Sequence, residues 1–284
     1  MIRRLLQRQT LASFDYQWRE LTEGGALLTD TWFLKNVDRI ISEELLCLKR
    51  EWFIGKRVLD AGSGNGRWTI GLLRLGCHVT AVDASAHALE RLDQGVSALE
   101  PDARDRLTTR VVDLLEPPAD LDTVPFDLVF SFGVLHHTGD THRALQNVTG
   151  LVGPTGVLFL YLYGRHSFSA PERAMLELRR LALAPLPFEV KRRLLAARGG
   201  VDVHQAFDEL SPVINARHDY AEVERWLRED GFSAVERTID HSELFVRALR
   251  HPQDVEGFET PHPHHPYWFE RYGTAAKHKP DGDG

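Results

Sequence analysis

The chain has 284 residues and a net charge of −7, with 43% hydrophobic and 26% charged residues. Such an apolar share excludes a disordered chain, a length of this order buries its own core without staples, and two cysteines, Cys47 and Cys77, exclude a disulfide framework or a four-cysteine zinc site. The acidic balance argues against a broad nucleic-acid footprint, and no nucleic-acid partner is expected.

The opening, MIRRLLQRQT, is basic and lacks the apolar stretch of a signal peptide. No run approaches the roughly 20 apolar residues of a membrane helix, so a soluble, cytoplasmic protein is expected. Residues 1–32 read as one or two short helices, with Phe14, Tyr16, Trp18 and Arg19 on one amphipathic segment, and residues 38–49 read as a further helix. Arg57–Ala61 (RVLDA) is a buried strand that runs into Gly-Ser-Gly-Asn-Gly, followed by a helix over 67–75. A second strand over 78–82 ends at Asp83, and a helix covers 86–99. A third strand over 109–112 ends at Asp113, and a fourth is Phe126–Phe132. A helix over 141–151 leads through the turn Gly153-Pro154-Thr155-Gly156 to a fifth strand over 156–163. This alternation of strand and helix is the mark of a parallel α/β sheet.

The rhythm then breaks. Residues 164–200 are Leu-rich and helical, with eight Arg/Lys against three Glu, a net +5. A helix over 220–230 and strands over 232–237 and 243–249 close the pattern, the strands forming an antiparallel hairpin at one edge. A His/Pro-rich tail occupies 251–284; His251, His262, His264 and His265 lie among prolines without ligands at regular spacing, so no metal site is expected.

A glycine loop between a strand and its helix sets backbone N–H groups and a helix N-terminus beside a ligand. Here the loop is Gly62, Ser63, Gly64, Asn65 and Gly66. A dinucleotide fingerprint wants a small residue where Arg67 stands. Asp60, before the loop, would repel a pyrophosphate but suits an ammonium group. Asp83 is placed to accept from a ribose diol, and Asp113 from an adenine amine. S-adenosylmethionine combines these three groups without a phosphate.

The stretches VLDAGSGNGRW, TAVDAS, VVDLLEP, FDLVFSFGVLHHTGD and LVGPTGVLFLYLY, in this order, resemble the class I S-adenosylmethionine-dependent methyltransferases over residues 55–163. The resemblance implies a doubly wound, seven-stranded, mostly parallel sheet. On it, residues 1–54 form an N-terminal helical cap, 55–163 the cofactor-binding core, 164–217 a helical insertion and 218–250 a closing helix and hairpin. It also implies that Gly62, Ser63 and Gly64 pass the methionine part of the cofactor and that Asp60 holds its ammonium. Asp83 takes the ribose with Ala84 beside the adenine, Asp113 and Leu114 flank the adenine, and Phe132 or Gly133 lines the sulfonium side. Ser63 stands where the family often has Cys, and Thr155 where it often has Gly. SFDYQW, FIGKRVLDAG and DELSPVINARHDYAEVERWLREDGF more weakly resemble a bacterial subgroup, several members of which accompany sugar or natural-product biosynthesis.

Methyl transfer is a displacement at a sulfonium carbon, and a hydroxyl acceptor must also lose a proton, for which a base with a pKa near 7 is suited. His136 and His137, just past the fourth strand, are the candidates, weighed against a role in packing alone; in some small-molecule methyltransferases a His at the place of His136 pairs with a Tyr from an N-terminal lid, which points to Tyr16 here. Trp18 and Arg19 would close over the cofactor, Arg19 reaching its carboxylate. Arg217, His218 and Tyr220 are candidate acceptor contacts, and the +5 segment suits an anionic acceptor or lipid surface as well as a solvated helix pair. The motif Asn/Asp-Pro-Pro-Tyr/Phe of exocyclic-amine methylation is replaced by SFGVL at 131–135. The expectation is therefore methylation of a hydroxyl or carboxyl oxygen on a natural-product, sugar or carrier-linked metabolite. An RNA-modifying methyltransferase, a non-catalytic cofactor-binding protein and a nicotinamide oxidoreductase are the alternatives.

Overall fold

The chain opens with helix α1 (Ile2–Glu20) and helix α2 (Thr31–Arg39), the latter capped by Asp30, whose carboxylate accepts from the Phe33 N–H. In this computed structural model, residues 2–21, 28, 30–121, 124–197, 203–255, 261 and 263 are described. Strands and helices then alternate: β1 (Arg57–Ala61), α3 (Arg67–Arg74), β2 (His78–Asp83), α4 (Ala86–Leu99), β3 (Leu107–Val111), β4 (Phe126–Phe132), α5 (Thr141–Thr149) and β5 (Val152–Leu162). Ser85 caps α4 and Asp140 caps α5, each side chain accepting from a backbone N–H three residues on. Three helices follow, α6 (Ala170–Leu183), α7 (Phe188–Ala196) and α8 (Val203–Leu210), and then α9 (Tyr220–Glu229), β6 (Ala234–Arg237) and β7 (Leu244–Leu249).

The seven strands lie in the order β3-β2-β1-β4-β5-β7-β6, with the first five parallel and β7 antiparallel to both its neighbours. Alternate residues feed two apolar layers. Leu128, Phe130 and Phe159 join Phe33, Val37, Trp68 and Leu72 on one face, while Val129, Leu158 and Leu160 join Leu145, Val223 and Leu227 on the other. A third cluster, Tyr16, Leu21, Leu176, Leu195, Phe207 and Leu210, fastens α1 to α6–α8. The doubly wound seven-stranded fold read from the sequence is the fold observed. Its strand order reverses between β1 and β4, where such sheets open a ligand crevice at their carboxyl ends.

Several boundaries differ from expectation. Residues 2–20 make one helix, on which Thr10, Ser13, Tyr16 and Gln17 form an inward face. The expected helix over 38–49 instead widens into a π turn at Ile40–Leu45 and stops there, with Cys47 at φ 49°. The third strand starts at Leu107, two residues early, and leaves Val112 and Asp113 to the loop. The expected turn at 153–156 belongs to β5. Phe126 pairs with Val152, and the register shifts before Leu128 meets Val157, so the extra residues form a bulge instead of a turn. Helix α8 lies within the expected helical insertion of 164–217, beyond its Leu-rich stretch of 164–200. His262, His264 and His265 lie outside the described residues. No helix among the described residues is long and apolar enough to cross a membrane.

Candidate active site

The glycine loop leaves β1 and is pinned to β2: the Gly62 and Ser63 N–H groups donate to the Val82 carbonyl at 2.8 and 3.0 Å. Gly62 and Gly64 have φ of 86° and 53°, which a side chain resists. A Cβ on Gly62 would also run into Val134, and one on Gly64 would sit 2.9 Å from Trp18 Cζ2. The loop is thus tight from both sides, with Trp18 of α1 lying across it. Gly66 enters α3 as its N-cap. Asn65 and Ser63 are buried, and the Ser63 hydroxyl has no hydrogen-bond partner among the described residues. Arg67, which argued against a dinucleotide loop, turns its guanidinium onto the Phe33 ring at 4.1 Å.

Two carboxyl groups lie beside this loop. Asp60 is 1% exposed and accepts from the Thr69 hydroxyl at 2.6 Å. Burial pushes its pKa up to about 7, against that hydrogen bond and with the charge of Asp83 adding to the rise. Asp83 accepts from the Gly64 N–H at 3.0 Å and the Ser85 N–H at 2.8 Å; burial raises its pKa and these N–H groups oppose it. Ala84 is exposed next to it, Leu114 is buried, and exposed Asp113 accepts from the Leu115 N–H at 2.9 Å. The Ser85 hydroxyl donates to Asp15 of α1 at 2.8 Å, which ties that helix to the end of β2.

Across the crevice, Phe132 stacks on Tyr161 (ring centroids 4.4 Å) and meets Trp68 at the same distance. Gly133 follows with φ 78°, and its N–H donates to the Tyr161 carbonyl at 3.0 Å. His136 is 0% exposed, and neither ring nitrogen has a hydrogen-bond partner among the described residues. Its ring meets that of Tyr163 at 4.0 Å and that of His137 at 4.2 Å, and those two meet each other at 5.6 Å. Burial drives its pKa well below the usual histidine value, with His137, His218 and Arg217 adding to the fall, so the imidazole is neutral. His137 Nδ1 donates to the Ile214 carbonyl at 2.8 Å, Phe14 meets its ring edge-on at 4.9 Å, and burial lowers its pKa to about 4.

The structure does not bring every expected residue to this crevice. Tyr16 does not meet His136; its hydroxyl donates to Glu189 of α7 at 2.6 Å and its ring packs on Phe188 and Phe207. The tyrosine beside His136 is Tyr163, at the carboxyl end of β5, whose hydroxyl donates to Asp208 of α8 at 2.9 Å. Burial raises Asp208 to about 6, despite that bond and with Glu209 adding to the rise. Arg19 is exposed and pairs with Glu20 at 2.8 Å and Asp15 at 3.9 Å. Arg217 covers the Tyr163 and Phe168 rings at 5.0 and 4.7 Å and is matched by Glu243 and Glu209. His218 is held between Glu222 and Thr141, at 3.1 and 3.0 Å. Tyr220 donates to the Val235 carbonyl at 3.0 Å, on the far side of the sheet edge. Tyr163 was within reach of the topology rule, since it ends a strand at the carboxyl edge. Asp208 carried no such signal, 45 residues away on a helix of the insertion.

Residues 59–158 match a family model described as a methyltransferase domain. Among curated proteins, the ubiquinone biosynthesis O-methyltransferase of Maricaulis maris is 32% identical over 123 residues, covering 40% of this chain and 43% of that protein. The protein of the same name from Xylella fastidiosa is 31% identical over 186 residues, covering 64% and 63%. The chain thus spans less than two thirds of these relatives. Among solved structures, magnesium protoporphyrin IX methyltransferase from Synechocystis, with bound S-adenosylhomocysteine, superposes with a TM-score of 0.53 at 16% identity, over 87% of this chain and 99% of that one. An O-methyltransferase family protein from Burkholderia thailandensis gives 0.53 at 14% identity, over 88% and 70%. The strand order, the glycine loop and the matched segment agree: residues 59–158 are a methyltransferase domain, on the fold of the class I S-adenosylmethionine-dependent methyltransferases.

Proposed function

We propose that the protein transfers a methyl group from S-adenosylmethionine to a hydroxyl oxygen of a small-molecule acceptor. The place of His136 carries the oxygen reading: it is a fully buried imidazole at the carboxyl edge of the sheet with neither nitrogen partnered among the described residues, although the same burial makes it a weaker base than a free histidine. The curated relatives' name, O-methyltransferase, supports the same atom.

The residues present fit the cofactor. Ser63 keeps a buried hydroxyl without a partner among the described residues, and Asp83, held by backbone N–H groups of Gly64, Ala84 and Ser85, keeps acceptor capacity for a ribose hydroxyl. Bound there, S-adenosylmethionine supplies an electrophilic methyl group on a sulfonium. Asp60, held near neutrality by burial, is drawn to its ionised form by the cofactor's ammonium. The backbone of 62–66 approaches the methionine part, while Ala84, Asp113 and Leu114 surround the adenine. Phe132 and Gly133 border the sulfonium, and Trp18 covers the loop and excludes water.

On the other side, neutral His136 would take the hydroxyl proton as the acceptor oxygen bonds the methyl carbon and the methyl–sulfur bond breaks, the sulfur leaving as a neutral thioether. Tyr163, fixed by Asp208, holds the imidazole plane, and His137, locked through Nδ1, presents its bare Nε2 to the same space. Arg217 is balanced by Glu209 and Glu243, so the acceptor we propose is uncharged at its reacting end. The proposed setting is the cytoplasm, whose reducing thiol pool keeps cysteines such as Cys47 and Cys77 free.

A thermal-shift series with S-adenosylmethionine, S-adenosylhomocysteine, NADH and NADPH tests the cofactor. A ligand at about 100 times its Kd adds about 2.7 kcal/mol, and a shift with a nicotinamide alone overturns the reading. Mass spectrometry of catechol, phenol and aniline probes then locates the methyl group. Methylation of the aniline nitrogen in preference to either hydroxyl overturns the oxygen assignment.

A further inference from the structure

Two carboxyl groups, one on each side of the crevice, are built alike. Asp60 accepts from one hydroxyl, that of Thr69 at 2.6 Å, and Asp208 from one hydroxyl, that of Tyr163 at 2.9 Å. In both, burial raises the pKa, to about 7 and about 6, a neighbouring carboxylate (Asp83 or Glu209) adds to the rise, and no cation opposes it. A buried carboxylate without a counter-charge is costly, and an ammonium brought by a ligand offsets that cost. Asp60 is the group we assign to the ammonium of the cofactor. Asp208 presents the same chemistry to the acceptor.

The charges around Asp208 point the same way. Glu209 and Glu243 share one guanidinium, that of Arg217, at 3.9 and 3.4 Å. With Asp208, three carboxyl groups thus stand against one cation beside Tyr163. The other buried cations of the insertion are engaged elsewhere. Arg180 pairs with Glu177 at 2.6 Å and donates to the Glu209 carbonyl, while Lys191 lies on the Phe188 ring and reaches the Ser211 carbonyl at 3.5 Å. His136 and His137 are neutral. Tyr161 and Tyr163, both within the field of Asp208, add ring faces of the kind that attract a cation. Asp208 keeps part of its surface open, so a ligand can reach it. The ring of Tyr163 that it holds also meets His136, whose nitrogens have no partner among the described residues.

We propose that the acceptor carries an ammonium group close to its reacting hydroxyl, with Asp208 holding the ammonium against Tyr163 while the uncharged hydroxyl faces His136. The inference rests on the assignment of this wall to the acceptor and adds the acceptor's charge. Amino alcohols, amino sugars and aminoalkyl phenols share this chemistry. The net +5 of residues 164–200 suggests the opposite, an anionic acceptor, but the groups at the wall itself reverse that sign. A second hydroxyl in place of the ammonium would also donate to Asp208, yet would leave its charge unmatched.

Four phenols test this, bearing at the ortho position an aminomethyl group, a hydroxymethyl group, a carboxylate or hydrogen. Their binding to the full chain saturated with S-adenosylhomocysteine is measured by calorimetry. The aminomethyl phenol is expected to bind about tenfold or more tightly than the hydroxymethyl phenol, with the carboxylate weakest. Asp208→Asn, which keeps an acceptor for the Tyr163 hydroxyl, is expected to bring the first two to near-equal affinity. A variant that weakens all four alike overturns the proposal, because Asp208 then only anchors Tyr163. In the wild type, which decides the matter even if the variant does not fold, equal or tighter binding of the hydroxymethyl or carboxylate phenol overturns it, as does absence of binding by the aminomethyl phenol. Tight binding of that probe without methyl transfer to its hydroxyl upholds the ammonium site and counts against the oxygen reading alone.

Discussion

The two sides of the crevice are made of different material. On the glycine-loop side, the contacts come from one stretch between Asp60 and Asp83 and consist largely of backbone N–H groups and two carboxyl groups. On the side of His136, side chains arrive from α1, the turn after β4, the end of β5, α8 and the segment before α9. A wall built from local backbone is fixed by the fold itself. One assembled from distant side chains can be respecified residue by residue while the sheet stays the same, which is how one fold serves many acceptors.

The sharpest test of that division is His136→Ala. It is expected to slow transfer to a hydroxyl probe by roughly 10²–10⁴-fold while leaving calorimetric affinity for S-adenosylmethionine unchanged. A matching loss of cofactor affinity would dissolve the distinction between the two walls. Asp208→Asn keeps an acceptor for the Tyr163 hydroxyl but cannot ionise. Asp208 titrates near 3.8 in the unfolded chain and near 6 in the fold, so the wild type is progressively penalised as the pH rises between those values. Relative to wild type, the variant should gain at most about 3 kcal/mol of stability between pH 4 and pH 8 in denaturant titrations. His136 and His137 act in the opposite direction: their lowered pKa values give stability that is full above about 6.5 and is lost on acidification. Comparing variant with wild type cancels them.

On the glycine-loop side, Asp83→Ala should cost about 1–3 kcal/mol of cofactor affinity with little change in which probes are methylated. Unchanged affinity in a calorimeter removes Asp83 from the cofactor site. The smallest effect is expected for Tyr220→Phe, which loses its bond to the Val235 carbonyl. About 1 kcal/mol of stability should go, with turnover unaltered; a large drop in turnover would return Tyr220 to the acceptor wall.

The same division governs what could be read from the letters. The strand-loop-helix units and their terminal acids are consecutive in sequence, so Asp60, the glycines and Asp83 were legible from spacing and chemistry. The partner of His136 was not, because an aromatic residue on an N-terminal helix and one at a strand end look equally available until packing chooses. Tyr16 was drawn to Phe188, Phe207 and Glu189 of the insertion, whose helices stand over the body of the fold. The basic character of that insertion was legible as a count, but its local use was not: Arg180 and Lys191 are buried against backbone carbonyls, and Arg165 pairs with Asp219.

The placement of β7 has a consequence for biosynthesis. It is the last strand among the described residues, yet it lies inside the sheet between β5 and β6. Until Leu249 has emerged from the ribosome, the β5 edge, with its run of leucines and aromatics, waits without a neighbour, an open template for the wrong strand. Nascent chains should therefore need shielding late in synthesis, and a stop codon that removes β7 should yield aggregates where one that falls just after it does not.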